Sequence, residues 1–384
     1  MKTKSLLSIL AFSTFFTTAF SQTFVNETMQ FDGNAREYDV YIPSIYDGTT
    51  AVPLIFSFHG GGGDIAGNIA INDLTPIADT ANFIVVYPQA IPDPGNGGST
   101  SWMHKQPTTH DDVPFVAAMI DSISADYNIN LDRIYACGYS LGGEFCYELA
   151  CQLNDEIAAI GAVARTMGAD TYNNCSPVHP TGVMTILGTA DGISDYNGVW
   201  YMGVQYYLSA DEQNEYWVNY NNCDTTPTVT AIPDTAPTDG STVERFSWST
   251  QDGCVYVEEL KVTNGDHDWP GTFGNMDINA TEEIWQFVSR YDLNGINNCS
   301  TSSIDEISTP KLNFSVYPNP SNGEVTIENN FLENKAFRIY STLGEVVLSG
   351  QITPGIHSVD LSNLSANIYI LEIENQVIKL IKTE

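Results

Sequence analysis

The stretch Gly138-Tyr139-Ser140-Leu141-Gly142 decides the fold of this chain. It follows the apolar run Ile134-Tyr135-Ala136-Cys137 and opens a segment in which apolar residues recur at helical spacing: Leu141, Phe145, Leu149, Ala150 and Leu153. A strand that leads into a helix through Gly-x-Ser-x-Gly forms a tight turn, which lifts the serine hydroxyl above the edge of the sheet. The pattern therefore predicts that Ser140 is a nucleophile.

Other apolar runs, each bounded by turn residues, predict strands that are buried on both faces. These runs are Pro53–Phe58, Phe83–Pro88, 157–164 and 182–187. Between them, residues Asp112–Tyr127 have the apolar spacing of a helix. Alternating strands and helices predict an α/β fold with a mostly parallel sheet and helices on both of its faces.

A glycine-rich loop, His59-Gly60-Gly61-Gly62-Gly63, directly follows the first buried run. Glycines let bare backbone N–H groups approach a ligand, and in a serine hydrolase this loop provides half of the oxyanion hole. We expect Gly61 to be the donor, with Gly60 as the alternative, and Leu141 to provide the second N–H group. A flexible or phosphate-binding loop is the competing interpretation, although the Gly-Lys-Ser/Thr of a Walker loop is absent.

Two later loops offer the remaining members of a catalytic triad. Asp191 follows an apolar strand downstream of the serine, and Asp195 is its local competitor. Two histidines follow, of which His357 lies in a separate C-terminal segment, so His267 is the candidate base. The chain order serine, aspartate, histidine is that of α/β-hydrolases. In such a triad His267 accepts the proton of Ser140 while Asp191 orients the imidazole ring.

Composition and charge narrow the classes of function. The 384 residues carry a formal net charge of −33, and residues 22–295 hold seven Lys or Arg against 37 Asp or Glu, a balance of −30. Such a field disfavours nucleic acid and anionic membrane surfaces as partners. Neither Cys-x-x-Cys nor His-x-x-x-His spacing occurs, so we expect neither a metal ion nor a cofactor.

The first 21 residues have the pattern of an export signal. Lys2 and Lys4 precede the apolar stretch Leu6–Phe20, and small residues around Ser21 suit a cleavage site. No later segment approaches the length of apolar sequence that spans a membrane. We therefore expect an exported protein, extracellular or attached to the cell surface. Export permits disulfides, but the odd count of seven cysteines leaves at least one of them unpaired or joined to another chain.

Six motifs, in order, resemble those of secreted polyhydroxybutyrate depolymerase-type esterases and of the feruloyl and acetylxylan esterases in carbohydrate esterase family 1. They are Arg36–Pro43, His59–Gly61, Asp111–Phe115, Gly138–Gly143, Leu187–Asp191 and His267–Gly271. The resemblance covers about residues 24–291 and implies an α/β-hydrolase domain over 22–295 with its triad on Ser140, Asp191 and His267. It also suggests the disulfide pairs Cys151–Cys175 and Cys223–Cys254.

The resemblance implies a secreted serine esterase that acts on feruloyl or acetyl esters of plant polysaccharides. One alternative is a short-chain polyhydroxyalkanoate depolymerase, and another, from a different class, is a non-catalytic binding protein on a hydrolase scaffold. Aromatic residues in loops near the motifs could stack on an aryl group or a sugar, or could equally fill the core or the surface. They are Trp102, Tyr196, Trp200, Tyr201 and Trp269.

The end of the chain has a different composition. Residues 296–312 are rich in Ser, Thr and Asn, as in a linker. Over 313–384, short alternating runs separated by turn residues predict a small β-sandwich. The segments Tyr317–Gly323, Ser341–Glu345 and Lys379–Lys382 resemble the C-terminal sorting domain of the type IX secretion system, which implies that secretion machinery is a partner. A carbohydrate-binding module is the alternative, but this stretch contains no tryptophan.

Overall fold

The computed structural model describes residues 23–94, 97–102, 111–297, 299, 314–341, 344–374 and 376–383. It divides into two compact units, Met1–Ser300 and Thr301–Glu384. The predicted export signal and most of the predicted linker lie outside the described residues. Both therefore stay predictions, as do the boundaries assigned to the domains.

The strands of the first unit are β1 (Thr23–Phe31), β2 (Asn34–Ile42), β3 (Val52–Phe58), β4 (Ile84–Pro88), β5 (Ile129–Tyr139), β6 (Ala159–Val163), β7 (Gly182–Gly188), β8 (Val199–Tyr201), β9 (Val204–Tyr207), β10 (Thr228–Ala231), β11 (Thr242–Ser249), β12 (Tyr256–Thr263), β13 (Tyr291–Asp292) and β14 (Gly295–Ile296). Its helices are α1 (Ile65–Ile71), α2 (Thr75–Ala81), α3 (Val113–Asp126), α4 (Leu141–Gln152), α5 (Ala169–Asn174), α6 (Ala210–Tyr220) and α7 (Ala280–Val288).

A ten-stranded sheet forms the centre of the first unit, in the order β1-β2-β4-β3-β5-β6-β7-β12-β11-β10. Neighbouring strands from β4 through β12 in this order are parallel. At one end β1 and β2 add antiparallel strands, and at the other end β11 and β10 do the same. The mostly parallel sheet that the sequence predicted is confirmed.

Helices cover both faces of this sheet. Successive side chains of a strand point to opposite faces, so each buried strand contributes to two separate apolar clusters. Leu54 of β3 packs in one apolar cluster, whereas its neighbour Ile55 packs in the other. Phe145 of α4 belongs to the first cluster and Ile284 of α7 to the second. Every residue of β3 is buried, as the unbroken apolar run indicated.

One buried ion pair joins the β2 side of the sheet to α3. Nη1 of Arg36 lies 2.6 Å from Oδ1 of Asp112, and both side chains are buried. The guanidinium group also lies 3.8 Å from the centre of the Phe115 ring. Two of the motifs behind the family resemblance therefore meet in the fold, and Nη2 of Arg36 also donates to the carbonyl oxygen of Gln89 over 3.3 Å.

The predicted disulfide Cys151–Cys175 is confirmed, but the predicted Cys223–Cys254 pair is wrong. Cys254 instead pairs with Cys299, while Cys223 is a buried free thiol. The reason is local: the amide of Ile296 donates to the carbonyl oxygen of Cys254 over 2.8 Å, and this contact brings the end of the unit to Cys254. Cys137 and Cys146 are also buried and free.

The strands of the second unit are β15 (Phe314–Tyr317), β16 (Glu324–Asn329), β17 (Lys335–Ser341), β18 (Val346–Ile352), β19 (Gly355–Asp360), β20 (Asn367–Ile373) and β21 (Gln376–Lys382). They form two antiparallel sheets, β15-β16-β19 and β18-β17-β20-β21. Ile327 of one sheet and Leu371 of the other share a single core, as in the predicted sandwich. In the described parts of both units, every helix is too short or too polar to cross a membrane.

Candidate active site

Ser140 occupies the turn between β5 and α4 in a strained conformation. Its φ is 52° and its ψ is −120°, a combination that residues other than glycine rarely adopt. Its amide donates to the carbonyl oxygen of Val163 over 2.9 Å, which fixes the turn to the neighbouring strand β6. Strain of this kind persists only where the surroundings enforce it, and it is concentrated at functional sites.

Two glycines make this turn possible because other backbone segments pass too close to leave room for a side chain. A Cβ atom on Gly138 would lie 2.3 Å from the carbonyl group of Gly142, and one on Gly142 would lie 2.2 Å from the carbonyl oxygen of Phe58. Both distances are shorter than real Cβ contacts, so neither position accepts a side chain without movement of the backbone. This close packing also brings the loop after β3 next to Ser140.

The glycine loop after β3 lies directly beside Ser140 and Leu141. A Cβ atom on Gly61 would meet Cδ1 of Leu141 at 2.6 Å, and one on Gly60 would meet Cβ of Ser140 at 3.3 Å. Among the described residues, no acceptor is hydrogen-bonded to the N–H of Gly61 or of Leu141. The Leu141 amide also lies at the N-terminus of α4, where the helix dipole favours negative charge.

His59 holds this loop in place through hydrogen bonds. Its Nδ1 donates to the carbonyl oxygen of Gly60 over 2.7 Å, and its Nε2 accepts from the amide of Ala90 over 3.1 Å. Burial lowers the pKa of this imidazole, so the ring is neutral near pH 7. The indole N–H of Trp102 donates to the carbonyl oxygen of His59 over 2.8 Å and fastens the loop from the other side.

His267 and Asp191 form a hydrogen-bonded pair. Nδ1 of His267 lies 2.7 Å from Oδ2 of Asp191, and the two side chains are 11% and 2% exposed. Oδ1 of Asp191 accepts the amides of Ile193 and Ser194 at 2.8 and 2.7 Å. Burial alone would raise the pKa of this carboxyl, but the hydrogen bonds outweigh it and the pKa is lowered. The competitor Asp195 instead closes an exposed turn at the amide of Asn197.

The loop that carries His267 is held by its neighbours. The hydroxyl of Tyr139 donates to the carbonyl oxygen of His267 over 2.7 Å. Burial, together with nearby carboxylates, raises the pKa of Tyr139 to about 12, so this hydroxyl keeps its proton. The same loop packs on the end of β7, where a Cβ atom on Gly188 would lie 2.4 Å from the carbonyl oxygens of Gly265 and Asp266.

Ser140 and His267 line one cavity of about 400 Å³ at the carboxyl ends of the parallel strands. The other lining residues are Gly60, Gly61, Gly62, Ser99, Tyr139, Leu141, Arg165 and Ile193. The sequence interpretation named no role for Arg165. Its guanidinium lies 3.4 Å from the buried carboxylate of Glu144 and 3.2 Å from the hydroxyl of Tyr207. The sequence did offer one signal for Arg165, which lies just after β6. Because β5 and β6 are parallel neighbours, the residues that follow them lie at the same edge of the sheet as Ser140.

The structure does not gather the predicted aromatic contacts at this cavity. Trp102 and Trp269 are 4% and 0% exposed, so their rings belong to the core and offer no face to a substrate. The indole of Trp269 donates to Thr281, behind the His267 loop. Trp200 is 59% exposed on β8, and the hydroxyl of Tyr196 donates to the buried Glu259 over 2.6 Å. None of these aromatic residues is among the described residues that line the cavity.

Residues 315–383 match the family model of the secretion system C-terminal sorting domain. This segment is a sorting domain. The predicted resemblance of the tail is confirmed, and the chain is therefore exported, to act outside the cell or at its surface.

The chain also resembles known esterases over about two thirds of its length. It is 27% identical over 273 residues to a bifunctional acetylxylan esterase/xylanase of Neocallimastix patriciarum, a match that covers 71% of this chain and 36% of that protein. It is 26% identical over 265 residues to feruloyl esterase B of Piromyces equi, covering 67% and 46%. The chain thus spans less than half the length of either relative.

Among solved structures, an acetyl xylan esterase from Aspergillus awamori superposes with a TM-score of 0.48 at 14% identity, over 69% of this chain and 99% of that one. The curated relatives bear the names of acetylxylan and feruloyl esterases. They favour this part of the predicted resemblance over the polyhydroxybutyrate depolymerase part.

Proposed function

We propose that the first unit is a serine carboxylic ester hydrolase whose triad is Ser140, Asp191 and His267. The observation that carries the proposal is a strained serine that shares one cavity with a histidine already hydrogen-bonded to a buried carboxylate. The glycine loop completes the site beside the serine. The curated relatives named as esterases support the same reaction class.

Acylation begins when Oγ of Ser140 attacks the carbonyl carbon of the ester. Nε2 of His267 accepts the hydroxyl proton, and Asp191 stabilises the imidazolium that forms because its carboxylate accepts from Nδ1. The lowered pKa of Asp191 keeps that carboxylate ionised at neutral pH. His267 then donates its proton to the departing alcohol oxygen, which leaves an acyl group on Ser140.

The oxygen of the attacked carbonyl becomes negatively charged in the tetrahedral intermediate. The amides of Gly61 and Leu141 are the proposed donors to it, and the dipole of α4 adds to their effect. Water then enters, His267 takes one of its protons, and hydroxide attacks the acyl carbon. Collapse of the second intermediate returns the proton to Ser140 and releases the carboxylic acid.

The proposed substrates are feruloyl or acetyl esters of plant polysaccharides, met outside the cell. The sorting domain supports an external place of action, and secretion machinery is the proposed partner in export. The names of the curated relatives support the acyl groups. In this proposal Arg165, which lines the cavity, is a positively charged group beside the bound ester.

The test compares initial rates on methyl ferulate, acetylated xylan and a hydroxybutyrate oligomer. Ser140→Ala serves as the blank for each substrate. We expect hydrolysis of methyl ferulate or acetylated xylan to be faster than that of the oligomer. Fastest hydrolysis of the oligomer would favour a depolymerase instead, and a folded wild-type protein that hydrolyses none of the three would contradict the esterase.

A further inference from the structure

A second cavity, of about 710 Å³, lies between α5, the end of β9 and α6. Its volume is larger than that of the cavity at Ser140 and falls within the range of roughly 300–1,000 Å³ that ligand sites occupy. We call it the tyrosine groove after its lining, which comprises Ala169, Tyr172, Asn173, Gln205, Leu208, Glu212, Glu215, Tyr216, Asn219 and Tyr220.

Three tyrosines give the groove its apolar surface. Tyr172 on α5 is 44% exposed, and its ring lies edge-on to that of Tyr216 at 5.2 Å between centres. Tyr216 and Tyr220 stand one helical turn apart on α6, with ring planes within 20° of each other. The hydroxyl of Tyr220 is anchored on the carbonyl oxygen of Pro177 at 2.7 Å. A ring that is already held by such contacts loses little conformational entropy on binding.

Apart from Ala169 and Leu208, the remaining lining is polar and consists of carboxylate and amide side chains. Asn173, Glu215 and Asn219 are exposed at the groove, so their side chains face solvent. Glu212 accepts from Nε2 of Gln205 over 2.7 Å, and this hydrogen bond links β9 to α6. Carboxylate and amide oxygens accept hydrogen bonds from hydroxyl groups. The described residues of the lining include two carboxylates and neither lysine nor arginine, which disfavours an anionic ligand.

The tyrosine groove begins close to the cavity that contains Ser140. Arg165 lines that cavity and Ala169 lines the groove. These two residues are four positions apart in the chain, so their Cα atoms are at most about 14 Å apart. Tyr207 of β9 joins the two, since its ring lies under the Arg165 guanidinium at 4.1 Å and its backbone bridges to Gly168.

The walls of the groove are fixed before any ligand binds. Cys175 ends α5, and its disulfide with Cys151 fastens that helix to α4. At the start of α6, Ser209 and Glu212 form a reciprocal capping box. Rigid walls reduce the entropy lost on binding.

We propose that the tyrosine groove binds a neutral oligosaccharide segment, the part of a polysaccharide substrate that lies beyond the ester held at Ser140. A sugar ring has an apolar C–H face that stacks on tyrosine and hydroxyl groups that donate to carboxylates and amides. This inference rests on the proposed function for the identity of its ligand, but the binding it describes does not require catalysis.

The test uses the full chain with xylohexaose as the probe, and measures binding by isothermal titration calorimetry. Tyr172→Ala should weaken binding about tenfold, the size expected from the loss of a stacking contact. Tyr206→Ala is the matched control, because Tyr206 is a nearby tyrosine that is 52% exposed but lies outside the lining. It should bind as wild type does. Thermal unfolding midpoints of both variants verify that they fold.

A second readout separates this inference from the proposed function. Hydrolysis of p-nitrophenyl acetate, which is too small to reach the groove, should be equal in wild type and Tyr172→Ala. An oligogalacturonate of similar length should bind neither protein, because the groove carries carboxylates. Undetectable binding of xylohexaose, or equal binding by Tyr172→Ala, overturns the groove even where the acetate is hydrolysed. If Tyr172→Ala binds xylohexaose more weakly than wild type but wild type hydrolyses no ester, the groove is supported and the esterase is contradicted.

Discussion

Nδ1 of His267 lies 2.7 Å from Oδ2 of Asp191, although 76 residues separate them in the chain. The contact arises because β7 and β12 are parallel neighbours, so the loops that follow them emerge at the same edge of the sheet. β5, which carries Ser140 at its end, lies two strands from β7. The topology thus gathers three segments of distant sequence at one cavity, and the proposed chemistry depends on that gathering.

Replacing the acid of the triad should reduce turnover while leaving the fold intact. Asp191→Asn keeps the size of the side chain but offers an amide in place of the carboxylate that stabilises imidazolium. We expect kcat for p-nitrophenyl acetate to fall by about 10⁴-fold. Asp195→Asn is the matched control, since the described side-chain hydrogen bonds of Asp195 lie within a nearby turn. Equal losses in the two variants would contradict the assignment of Asp191.

The same carboxylate should make stability depend on pH in one direction. Its pKa lies below the ordinary value of 3.8, because hydrogen bonds from His267, Ser194 and Ile193 outweigh the opposing effect of burial. A lowered pKa in the folded state stabilises the protein above the unfolded pKa, and this stability is lost as pH falls through the folded pKa.

Urea unfolding of wild type and Asp191→Asn should therefore differ by a constant free energy from pH 7 to about pH 5. The difference should shrink as pH falls below 3.8, the ordinary pKa of the group. A difference that grows toward acid pH would mean that the folded protein raises this pKa.

Substitution of the second glycine in the serine turn should be poorly tolerated. In Gly142→Ala the new Cβ atom would lie 2.2 Å from the carbonyl oxygen of Phe58 and 2.7 Å from that of His59. Because backbone rather than a flexible side chain must move, we expect a loss of about 3 kcal/mol in the free energy of unfolding. Gly192→Ala, where nothing lies within 4 Å, should change it by no more than about 0.5 kcal/mol. Chemical denaturation measures the free energy of unfolding of both variants, and equal values for the two would contradict this prediction.

The cysteine pairing can be checked by mass spectrometry of unreduced peptides. Cys254 should be found linked to Cys299, with Cys223 alkylated only after unfolding. Burial, reinforced by nearby Asp224 and Asp252, raises the pKa of Cys223 to about 11, so little reactive thiolate exists in the native state. Removing the Cys254–Cys299 bridge should lower stability by about 3–4 kcal/mol. A Cys223–Cys254 peptide would contradict the structure.

The central strands were predictable because burial on both faces demands unbroken apolar runs. β3 and β4 are such runs, and both were expected within one residue of their observed starts. The edge strands of the sheet were harder to predict, since β1 is half exposed and mixes polar with apolar residues. The β8–β9 hairpin was missed for the same reason: its outer side chains are exposed, so no burial shapes its sequence.

At the site, Ser140 could be found from the glycines that its turn needs. Arg165 was not assigned a role, because a single arginine after a strand belongs to no motif and only its position after β6 places it at the same edge of the sheet. For Trp102 and Trp269 the sequence left stacking on a substrate and packing in the core both open, because it does not tell whether a loop aromatic turns inward, and both do. The pairing of Cys299 was missed because the family resemblance ends before it.

The central claim is that Ser140 is the nucleophile of an ester hydrolase, and covalent labelling tests it most directly. Wild-type protein is incubated with diethyl p-nitrophenyl phosphate, its residual esterase activity is measured, and the labelled peptide is mapped. We predict one phosphoryl group on Ser140, complete loss of p-nitrophenyl acetate hydrolysis, and no label on Ser140→Ala. An adduct on another residue, or near-native hydrolysis by Ser140→Ala, would contradict the account.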